Sequence, residues 1–480
     1  MRPWRSVKHP HLYEINTRVL LTSLSEPGRR ATLDDVPDIY WQSLADRGMH
    51  WVWLMGVWTL VEKQHDPDLI PAGMMEEFRA LLPDLSDADI DGSPYAIDAY
   101  EVDPRLGGEE ALLRVRQTLN RLGIGLMLDF VPNHFGAHTR WLSTHPEYFL
   151  AVPAAAARDG SNTFFSPKGM DSRYFAHGKD PYFAAWQDTL QVDYSKAETR
   201  AFMSGQLERL ATLCDGVRCD MAMLAVPRVF SQTWEGHRIW NNTPFWPRAI
   251  RQAKQVNPDF TLLAEVYWDM ESEMLAMGFD YCYDKTFYDR LTEPQGLKAH
   301  FNAEPTYLTQ TARFLENHDE QRVAARLSFD QHAAAAALVG LGPGMRFWHM
   351  GQCEGLKRKI PVQLNRGPVE HCDCDVCTRD PLPHGCRQVK QMYDALFEVF
   401  NSDVLIDGEW SHVDHPDLWV WEWRLEQEWR LVAMNYSNAP RSMPEMVERD
   451  DLSLIYPEAH ITSSVKELAP WEVRVWARVS

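Results

Sequence analysis

Three acidic residues each stand at the end of a short apolar run, far apart in the sequence. Asp220 closes the run CDGVRCD, Glu265 closes FTLLAE, and Asp319 follows FLENH. A fourth run, LMLDFVPNH, carries Asp129 and His134. Such runs are typical of buried parallel strands, and a barrel of parallel strands gathers their C-terminal ends at one mouth. Three carboxylates that meet there are suited to glycosidic bond cleavage, which needs a nucleophile and a proton donor.

Basic and apolar neighbours suggest different roles for these acids. Arg218 lies two residues before Asp220, so both side chains share one face of a strand. The cation is expected to lower the pKa of Asp220 and keep a nucleophile ionised, although a simple buried ion pair is the alternative. Glu265 has apolar neighbours, which favour a raised pKa and a proton donor; a helix cap or loop salt bridge is the alternative. The pair His318 and Asp319 is suited to counter positive charge on a reacting sugar ring.

Eight apolar runs have the length and composition of strands, and helical patterns separate several of them. The predicted strands are residues 11–16, 51–56, 125–130, 216–220, 260–265, 279–284, 312–317 and 345–350. Strands that alternate with helices indicate an α/β fold with a parallel sheet, and eight strands suit closure into a (β/α)8 TIM barrel. The barrel mouth is then the place where the acidic residues converge.

Three segments depart from this alternation. Residues 57–94 and 135–195 are too long for ordinary barrel loops, and the second is predicted to form a small inserted domain over the strand ends. In the region 404–480 apolar and polar residues alternate, which predicts a C-terminal antiparallel β-sandwich domain. The catalytic barrel is therefore assigned to residues 1–134 and 196–403.

Composition restricts the partners of the protein. The formal net charge of −20 opposes binding to nucleic acid, which is a polyanion. We expect no membrane partner and a cytoplasmic location, because the chain has no run of 18 apolar residues and no apolar N-terminal stretch of signal-peptide length. The 19 Trp, 16 Tyr and 20 Phe fit a packed core or a sugar-stacking cleft, and composition favours the core. No pattern specifies an oligomeric state.

Four of the eight cysteines are concentrated between residues 372 and 386. They are Cys372, Cys374, Cys377 and Cys386, with His371 and His384 beside them. Disulfides do not persist in a reducing compartment, and four thiolates this close in sequence can bind one zinc ion tetrahedrally. The irregular spacing C-x-C-x2-C-x8-C also fits a loop of free thiols. If zinc binds, a coordination sphere closed by thiolates indicates a structural role rather than a catalytic one.

The acidic runs also match a known pattern. DFVPNH, GVRCDMAM, LLAEVY and FLENHD resemble, in this order, the four signature regions of the α-amylase family of glycoside hydrolases, glycoside hydrolase family 13. The resemblance spans about residues 10–360, and the region from residue 404 resembles the C-terminal β-domain of that family. Four motifs in the right order and structural context are a specific signal, whereas any one of them alone is weak.

The resemblance implies roles for individual residues. Asp220 corresponds to the nucleophile, Glu265 to the general acid/base and Asp319 to the third carboxylate, which grips the distorted ring. The residues expected to bind substrate are Tyr95, Asp129, His134, Arg218 and His318. The implied reaction cleaves an α-glucosidic bond with retention, through a covalent glycosyl-enzyme. Transglycosylation or glucoside isomerisation is the first alternative. A non-catalytic carbohydrate-binding or assembly role is the second, and three intact carboxylates oppose it.

Departures from the family pattern concern metal and substrate. Gln191 stands where enzymes with a structural calcium site have an acid, and Leu224 where they have a histidine. Too few oxygen ligands remain, so we expect no calcium at that position and no cofactor requirement in catalysis. The family's Lys-His pair on the leaving-group side is also replaced by apolar residues. Its loss favours short α-glucosides or glycogen-derived oligosaccharides over long starch chains.

Overall fold

The computed structural model describes residues 4–61, 72–157, 162–167, 170, 173–241, 243–380, 382–443, 452–457 and 466–478. Parts of the predicted excursion 57–94, of the insert 135–195 and of the C-terminal region 404–480 therefore lie outside the described residues. Within the described ranges, no helix has both the length and the apolar character needed to cross a membrane.

Eight parallel strands close into a barrel, which confirms the predicted fold class. The strands are β1 (His11–Asn16), β2 (Trp51–Met55), β3 (Gly125–Phe130), β4 (Gly216–Cys219), β5 (Thr261–Ala264), β6 (Tyr281–Tyr283), β7 (Thr311–Phe314) and β8 (Met345–His349). Each strand pairs with the next one along the chain, and β8 closes on β1. Strand β7 ends before residue 317, because Asn317 Oδ1 accepts hydrogen bonds from the amides of Asp319 and Glu320 and forms a turn.

Helices connect the strands and cover the outside of the barrel. Those of seven or more residues are Thr17–Ser23, Asp38–Asp46, Ala72–Leu81, Gly108–Arg121, Ala197–Leu213, Pro227–Thr233, Trp246–Val256, Pro294–His300, Phe329–Leu341 and Arg387–Phe400. The shorter ones are Arg140–Thr144, Glu271–Ala276, Lys285–Asp289, Pro305–Thr309, Val323–Arg326, Asp375–Arg379 and Asp403–Asp407. Apolar residues recur at helical spacing on the faces that pack inwards, as in Gly108–Arg121.

Short antiparallel strands extend the barrel mouth. Between β3 and β4 the paired strands are His134–Gly136 with Thr189–Gln191, and Tyr174–Ala176 with both Ala151–Val152 and Phe164–Phe165. After β2, Trp58–Leu60 pairs with Ile97–Val102. His134 lies opposite Gln191 in the register of the first pair, so the insert is joined to the barrel beside the end of β3.

The C-terminal region is an antiparallel β-structure, as its alternating pattern predicts. A five-stranded sheet has the order Glu409–Val413, Trp419–Leu425, Glu428–Met434, Val473–Arg478 and Leu452–Tyr456, and a small second sheet pairs Arg441–Ser442 with Glu467–Leu468. The indole N–H groups of Trp421 and Trp423 donate to the carbonyl oxygen of Leu341 at 2.9 and 2.8 Å. These bonds attach one face of the larger sheet to the helix that precedes β8. The other face buries its own apolar cluster, as in a sandwich.

Candidate active site

The acidic residues meet at the C-terminal mouth of the barrel. Asp220 and Glu265 follow β4 and β5 by one residue each, and the register places Arg218 on β4 beside Asp129 on β3. These four side chains are buried. The turn after β7 carries Asp319 into the same mouth, where its side chain is 47% exposed. The parallel pairing of the barrel strands thus brings together residues that are distant in the sequence.

Arg218 is the centre of this arrangement. Its Nη1 lies 2.8 Å from Asp220 Oδ1 and 3.6 Å from Asp129 Oδ1. Its Nη2 lies 2.6 Å from Glu265 Oε2, and its Nε donates a hydrogen bond to the Tyr283 hydroxyl at 3.2 Å. One buried cation therefore offsets the mutual repulsion of three carboxylates that would otherwise oppose each other in a medium of low dielectric constant.

The Asp220 carboxyl does not behave as its neighbour Arg218 suggests. Burial raises the pKa of Asp220 to about 7, Arg218 opposes this rise, and the Glu265 carboxylate adds to it. The expectation of a lowered pKa was therefore wrong, because it considered the adjacent cation and not the loss of solvent around an enclosed carboxylate. The ion pair itself is present as expected.

Glu265 contacts polar groups instead of the apolar surroundings expected from its sequence neighbours. The Tyr267 hydroxyl donates to Glu265 Oε1 at 2.6 Å, and the Met221 amide donates to Oε2 at 2.7 Å. Met221 has a left-handed backbone with φ of 42°. For a residue with a side chain this conformation costs on the order of 1–3 kcal/mol. The strained turn after β4 points its amide at Glu265 and so connects the ends of two adjacent strands.

His318 connects Asp319 to the interior of the barrel. Its Nε2 lies 3.0 Å from Asp319 Oδ2 and 2.7 Å from the Tyr95 hydroxyl, and its Nδ1 lies 2.5 Å from Glu14 Oε1. Burial lowers the pKa of His318, but Asp319 and Glu14 outweigh this effect and raise the pKa to about 10. Desolvation raises the pKa of Asp319, but the ion pair with His318 holds it below its ordinary value. At neutral pH a histidine cation therefore lies between two carboxylates.

Asp129 and His134 lie where the run LMLDFVPNH predicts, on and after β3. The amide of Gly56 donates to Asp129 Oδ2 at 3.3 Å. Burial raises the pKa of Asp129 to about 6, with Arg218 opposing. Burial lowers the pKa of His134 to about 3, so this ring is neutral near pH 7. A neutral imidazole has one donor and one acceptor nitrogen, which suits contact with sugar hydroxyl groups.

A cleft of about 730 Å³ opens above these residues. Five of the predicted site residues line it, namely Tyr95, His134, Asp220, Glu265 and Asp319. Its walls come from the excursion after β2, the insert after β3 and the segment after β8, and they include Met74, Trp186, Val362 and Gln363. This volume and this mixture of apolar walls with convergent polar groups are typical of a small-molecule site.

Four residues that were not singled out from the sequence also contact the site: Glu14, Met221, Tyr267 and Tyr283. Glu14 had a visible signal, because an acidic residue inside a buried apolar strand is rare unless it is paired. Tyr267 follows Glu265 by two positions, a spacing that puts two side chains on one face of an extended chain. Met221 acts through its backbone and Tyr283 acts across the barrel, and neither property is visible in residue type or spacing.

Carboxylates at the mouth of an eight-stranded barrel, with a small-molecule cleft above them, are an arrangement that glycosidic bond cleavage can use. The sequence matches the family model described as alpha amylase, catalytic domain, over residues 48–358. This match covers more than half of the chain. The protein therefore belongs to the alpha-amylase family of glycoside hydrolases.

Solved structures have the same fold. The noncanonic maltogenic alpha-amylase AmyB from Thermotoga neapolitana is 19% identical, with a TM-score of 0.68 over 98% of this chain and 99% of that one. Trehalose-6-phosphate hydrolase (TreA) from Bacillus licheniformis is 13% identical, with a TM-score of 0.69 over all of both chains. The alpha-amylase GTA from Geobacillus thermoleovorans, complexed with acarbose, is 15% identical, with a TM-score of 0.66 over all of both chains. At these identities the similarity concerns the fold.

We propose that the residues where the family resemblance places a calcium ion do not bind one. Gln191 Nε2 donates hydrogen bonds to the backbone oxygens of Asn133 and Val192 and to Asn133 Oδ1, each at 3.0 Å. Calcium takes oxygen ligands of this type, but here the NH2 group of an amide lies among them, and such a group has no electron pair to offer a cation. Leu224 adds only a buried apolar side chain.

We predict that EGTA leaves both activity and melting temperature unchanged and that added calcium does not raise the melting temperature. A calcium ion that bound only the folded protein would stabilise the folded state by mass action and raise the melting temperature. Thermal unfolding in EGTA, in magnesium and in calcium checks this expectation. Gln191→Glu is the comparison variant, because it places a carboxylate among the same oxygens; we expect it to melt lower in EGTA and to recover with calcium. A calcium-dependent rise of several degrees in the wild type would contradict the prediction.

Proposed function

We propose that this protein hydrolyses α-glucosidic bonds in short oligosaccharides or glycogen-derived glucans, with retention of anomeric configuration. The observation that carries this proposal is the bridge made by Arg218, whose two η nitrogens contact Asp220 and Glu265 at 2.8 and 2.6 Å. Both carboxylates also line the same cleft. A nucleophile and an acid/base held side by side are the minimal requirement of double displacement.

The bridge favours retention over inversion. Inverting enzymes separate their carboxyl groups by about 6.5–9.5 Å to admit a water molecule, whereas retaining enzymes hold them about 5–5.5 Å apart. Two carboxylates that share one guanidinium are kept close together, because the two η nitrogens belong to a single rigid group, and retention is proposed from this closeness together with membership of the α-amylase family. In the proposed mechanism water enters only after the leaving group has departed.

Each proposed step assigns an atom to a residue. An Asp220 oxygen attacks the anomeric carbon while Glu265 gives a proton to the departing glycosidic oxygen, and a covalent glycosyl-enzyme forms. Glu265 then takes a proton from water, the water oxygen attacks the same carbon, and Asp220 leaves as a carboxylate. Asp319, kept ionised by His318, hydrogen-bonds sugar hydroxyls and offsets the positive charge that develops on the ring.

Cleft size supports a short substrate. A volume of about 730 Å³ lies within the range of pockets that enclose small ligands, and it is bounded on several sides by loops. Two neighbours of similar fold carry names that refer to small saccharides, maltogenic alpha-amylase and trehalose-6-phosphate hydrolase. Transglycosylation would use the same residues and differs only in which hydroxyl group resolves the intermediate.

A product screen tests the proposal. We expect the full-length protein to release glucose or maltose from at least one of maltose, maltotriose, isomaltose, trehalose, sucrose and glycogen, as measured by chromatography. Proton NMR during the first minutes is expected to show the α-anomer of the new reducing end before mutarotation. A β-anomer would exclude the retaining mechanism, and longer or rearranged oligosaccharides in place of monosaccharide would favour transglycosylation or isomerisation.

We expect Asp220→Asn and Glu265→Gln to lose activity in different ways. Loss of the nucleophile should reduce kcat by several orders of magnitude on every substrate, because no covalent intermediate forms. Loss of the acid should reduce kcat far more on natural glucosides than on aryl glucosides, whose leaving groups depart without a proton. Steady-state kinetics on both substrate types checks the pair, and each variant serves as the control for the other. Equal losses on both substrate types for Glu265→Gln would exclude it as the acid.

The pH dependence of kcat/KM should show an acidic limb near pH 7. Burial raises the pKa of Asp220 to about 7, and a nucleophile must be ionised, so activity rises with pH through this value and falls about tenfold per unit well below it. Asp129 also contributes to the raised pKa. Asp129→Asn is therefore expected to move the limb to lower pH, whatever its effect on the maximal rate. A wild-type limb near pH 4 would contradict this account.

A further inference from the structure

The four clustered cysteines converge in space as well as in sequence. The sulfur atoms of Cys372, Cys374, Cys377 and Cys386 all lie within 4.8 Å of one another. Cys386 Sγ is 3.8 Å from Cys374 Sγ and 3.9 Å from Cys377 Sγ. Among the residues that the structure describes, no other group of three or more metal-binding side chains is gathered in this way. A loop of independent free thiols would have no reason to point four sulfur atoms at a common centre.

The distances of 3.8 and 3.9 Å from Cys386 Sγ match those in a tetrahedral metal site. A zinc ion lies about 2.3 Å from a thiolate sulfur, and the edge of a regular tetrahedron of that radius is about 3.8 Å. A disulfide needs two sulfur atoms about 2.05 Å apart, and it would leave the other two cysteines unexplained. In an iron–sulfur cluster the four thiolates are divided among two or more iron atoms, so all four cannot lie as close together as the ligands of a single ion. The spacing therefore indicates one mononuclear ion.

We propose that Cys372, Cys374, Cys377 and Cys386 bind one zinc ion. Four thiolates close the coordination sphere, so the ion has no position for water or substrate and its role is structural. Soft sulfur ligands in a tetrahedral arrangement favour zinc over calcium, magnesium or manganese. The site is distinct from the catalytic cleft, which none of the four cysteines lines.

The backbone is arranged to support anionic sulfur. Cys386 is the N-cap residue of the helix Arg387–Phe400, so its sulfur lies at the positive end of a fourteen-residue helix. The amide of Arg387 donates to Cys377 Sγ at 3.1 Å. Hydrogen bonds from outside the coordination sphere orient metal ligands and stabilise their charge. The start of this helix thus holds Cys377 Sγ through a backbone amide and carries Cys386 as its N-cap residue.

The proposed zinc site braces one wall of the cleft. The Cys386 amide donates to the Glu354 carbonyl oxygen at 2.7 Å, and the Gly385 amide to the Glu370 carbonyl oxygen at 2.8 Å. The Glu370 carboxylate in turn accepts the amides of Lys357 and Arg358 at 2.9 and 3.1 Å. These bonds connect the cysteine segment to residues 354–370, the segment that supplies Val362 and Gln363 to the cleft. Metal binding orders a segment that lacks an apolar core of its own.

The same segment reaches the third carboxylate. Lys359 Nζ donates a hydrogen bond to the backbone oxygen of Asp319. Asp220 and Glu265, in contrast, directly follow barrel strands and have no contact with this segment among the described hydrogen bonds. The zinc ion is therefore inferred to position substrate-binding groups and not the nucleophile or the acid. This second part of the inference rests on the proposed function, whereas the metal site does not.

Elemental analysis of the full-length protein, purified without a metal column, tests the site. We expect one zinc ion per chain and substoichiometric iron, copper and nickel. We also expect four thiols that react only after chelation or unfolding. Zinc should fall to less than about one tenth of an ion per chain in the double variant Cys372→Ser with Cys374→Ser, as expected when half of the ligands are lost. Cys353→Ala, which removes a buried cysteine outside the cluster, should retain the zinc. His371→Asn should also retain it.

Several results would overturn the site. They are a metal-free wild type with four freely reacting thiols, a mass lower by two or four hydrogens that reveals disulfides, and stoichiometric iron with visible absorption. If the double variant does not fold, the wild type grown in cobalt decides the question. Tetrahedral thiolate ligation gives intense visible bands and sulfur-to-cobalt charge transfer, and their absence would exclude the site.

Kinetics test the bracing role separately. In a folded, zinc-free variant we expect KM to rise at least fivefold and kcat to fall by a smaller factor, since the cleft wall and the Asp319 turn move while Asp220 and Glu265 do not. An unchanged KM in that variant would refute the bracing role. Absence of turnover in the zinc-loaded wild type would count against the proposed function and not against the zinc site, because metal content is measured without substrate.

Discussion

The site depends on one fully buried cation, Arg218. Removal of a guanidinium from water is costly, and the cost is offset here only because carboxylates on three adjacent strands surround it. The dependence is mutual, since without the cation three buried carboxylates would repel each other. A substitution at any one of these positions therefore changes the electrostatic environment of the others.

The register of the barrel strands places Arg218 among the three carboxylates. Arg218 lies beside Asp129 on β3 and beside Leu263 on β5. Leu263 precedes Glu265 by two residues, so their side chains point to the same face of the sheet. A shift of one residue between β4 and its neighbours would direct the cation to the opposite face of the sheet, away from the mouth. The many buried apolar residues of these strands hold the register, so the core indirectly determines the electrostatics of the site.

Much of this could be predicted from the sequence, because apolar runs and residue types carry local information. Apolar runs in the sequence predict all eight barrel strands. The pairing of Arg218 with Asp220 follows from the two-residue period of a strand. Contacts between strands could not be predicted from the sequence, such as the contact of His318 with Glu14, which is 304 positions away. The apolar environment expected for Glu265 failed for the same reason: its neighbours in the chain are apolar, but its neighbours in space are Arg218, Tyr267 and a backbone amide.

The loops above the mouth are held by polar cross-links in addition to buried apolar clusters. In the insert, the Gln191 amide connects the backbone oxygens of Asn133 and Val192. After β8, the Glu370 carboxylate binds two successive amides. Asp220 and Glu265 are separated from this rim, because each follows a barrel strand directly. Asp319 contacts both the barrel and the rim, because its side chain pairs with His318 and its backbone oxygen accepts a hydrogen bond from Lys359. If Asp319 grips the sugar as proposed, changes in the rim reach the substrate through this carboxylate, which lets the loops alter substrate preference while Asp220 and Glu265 stay in place.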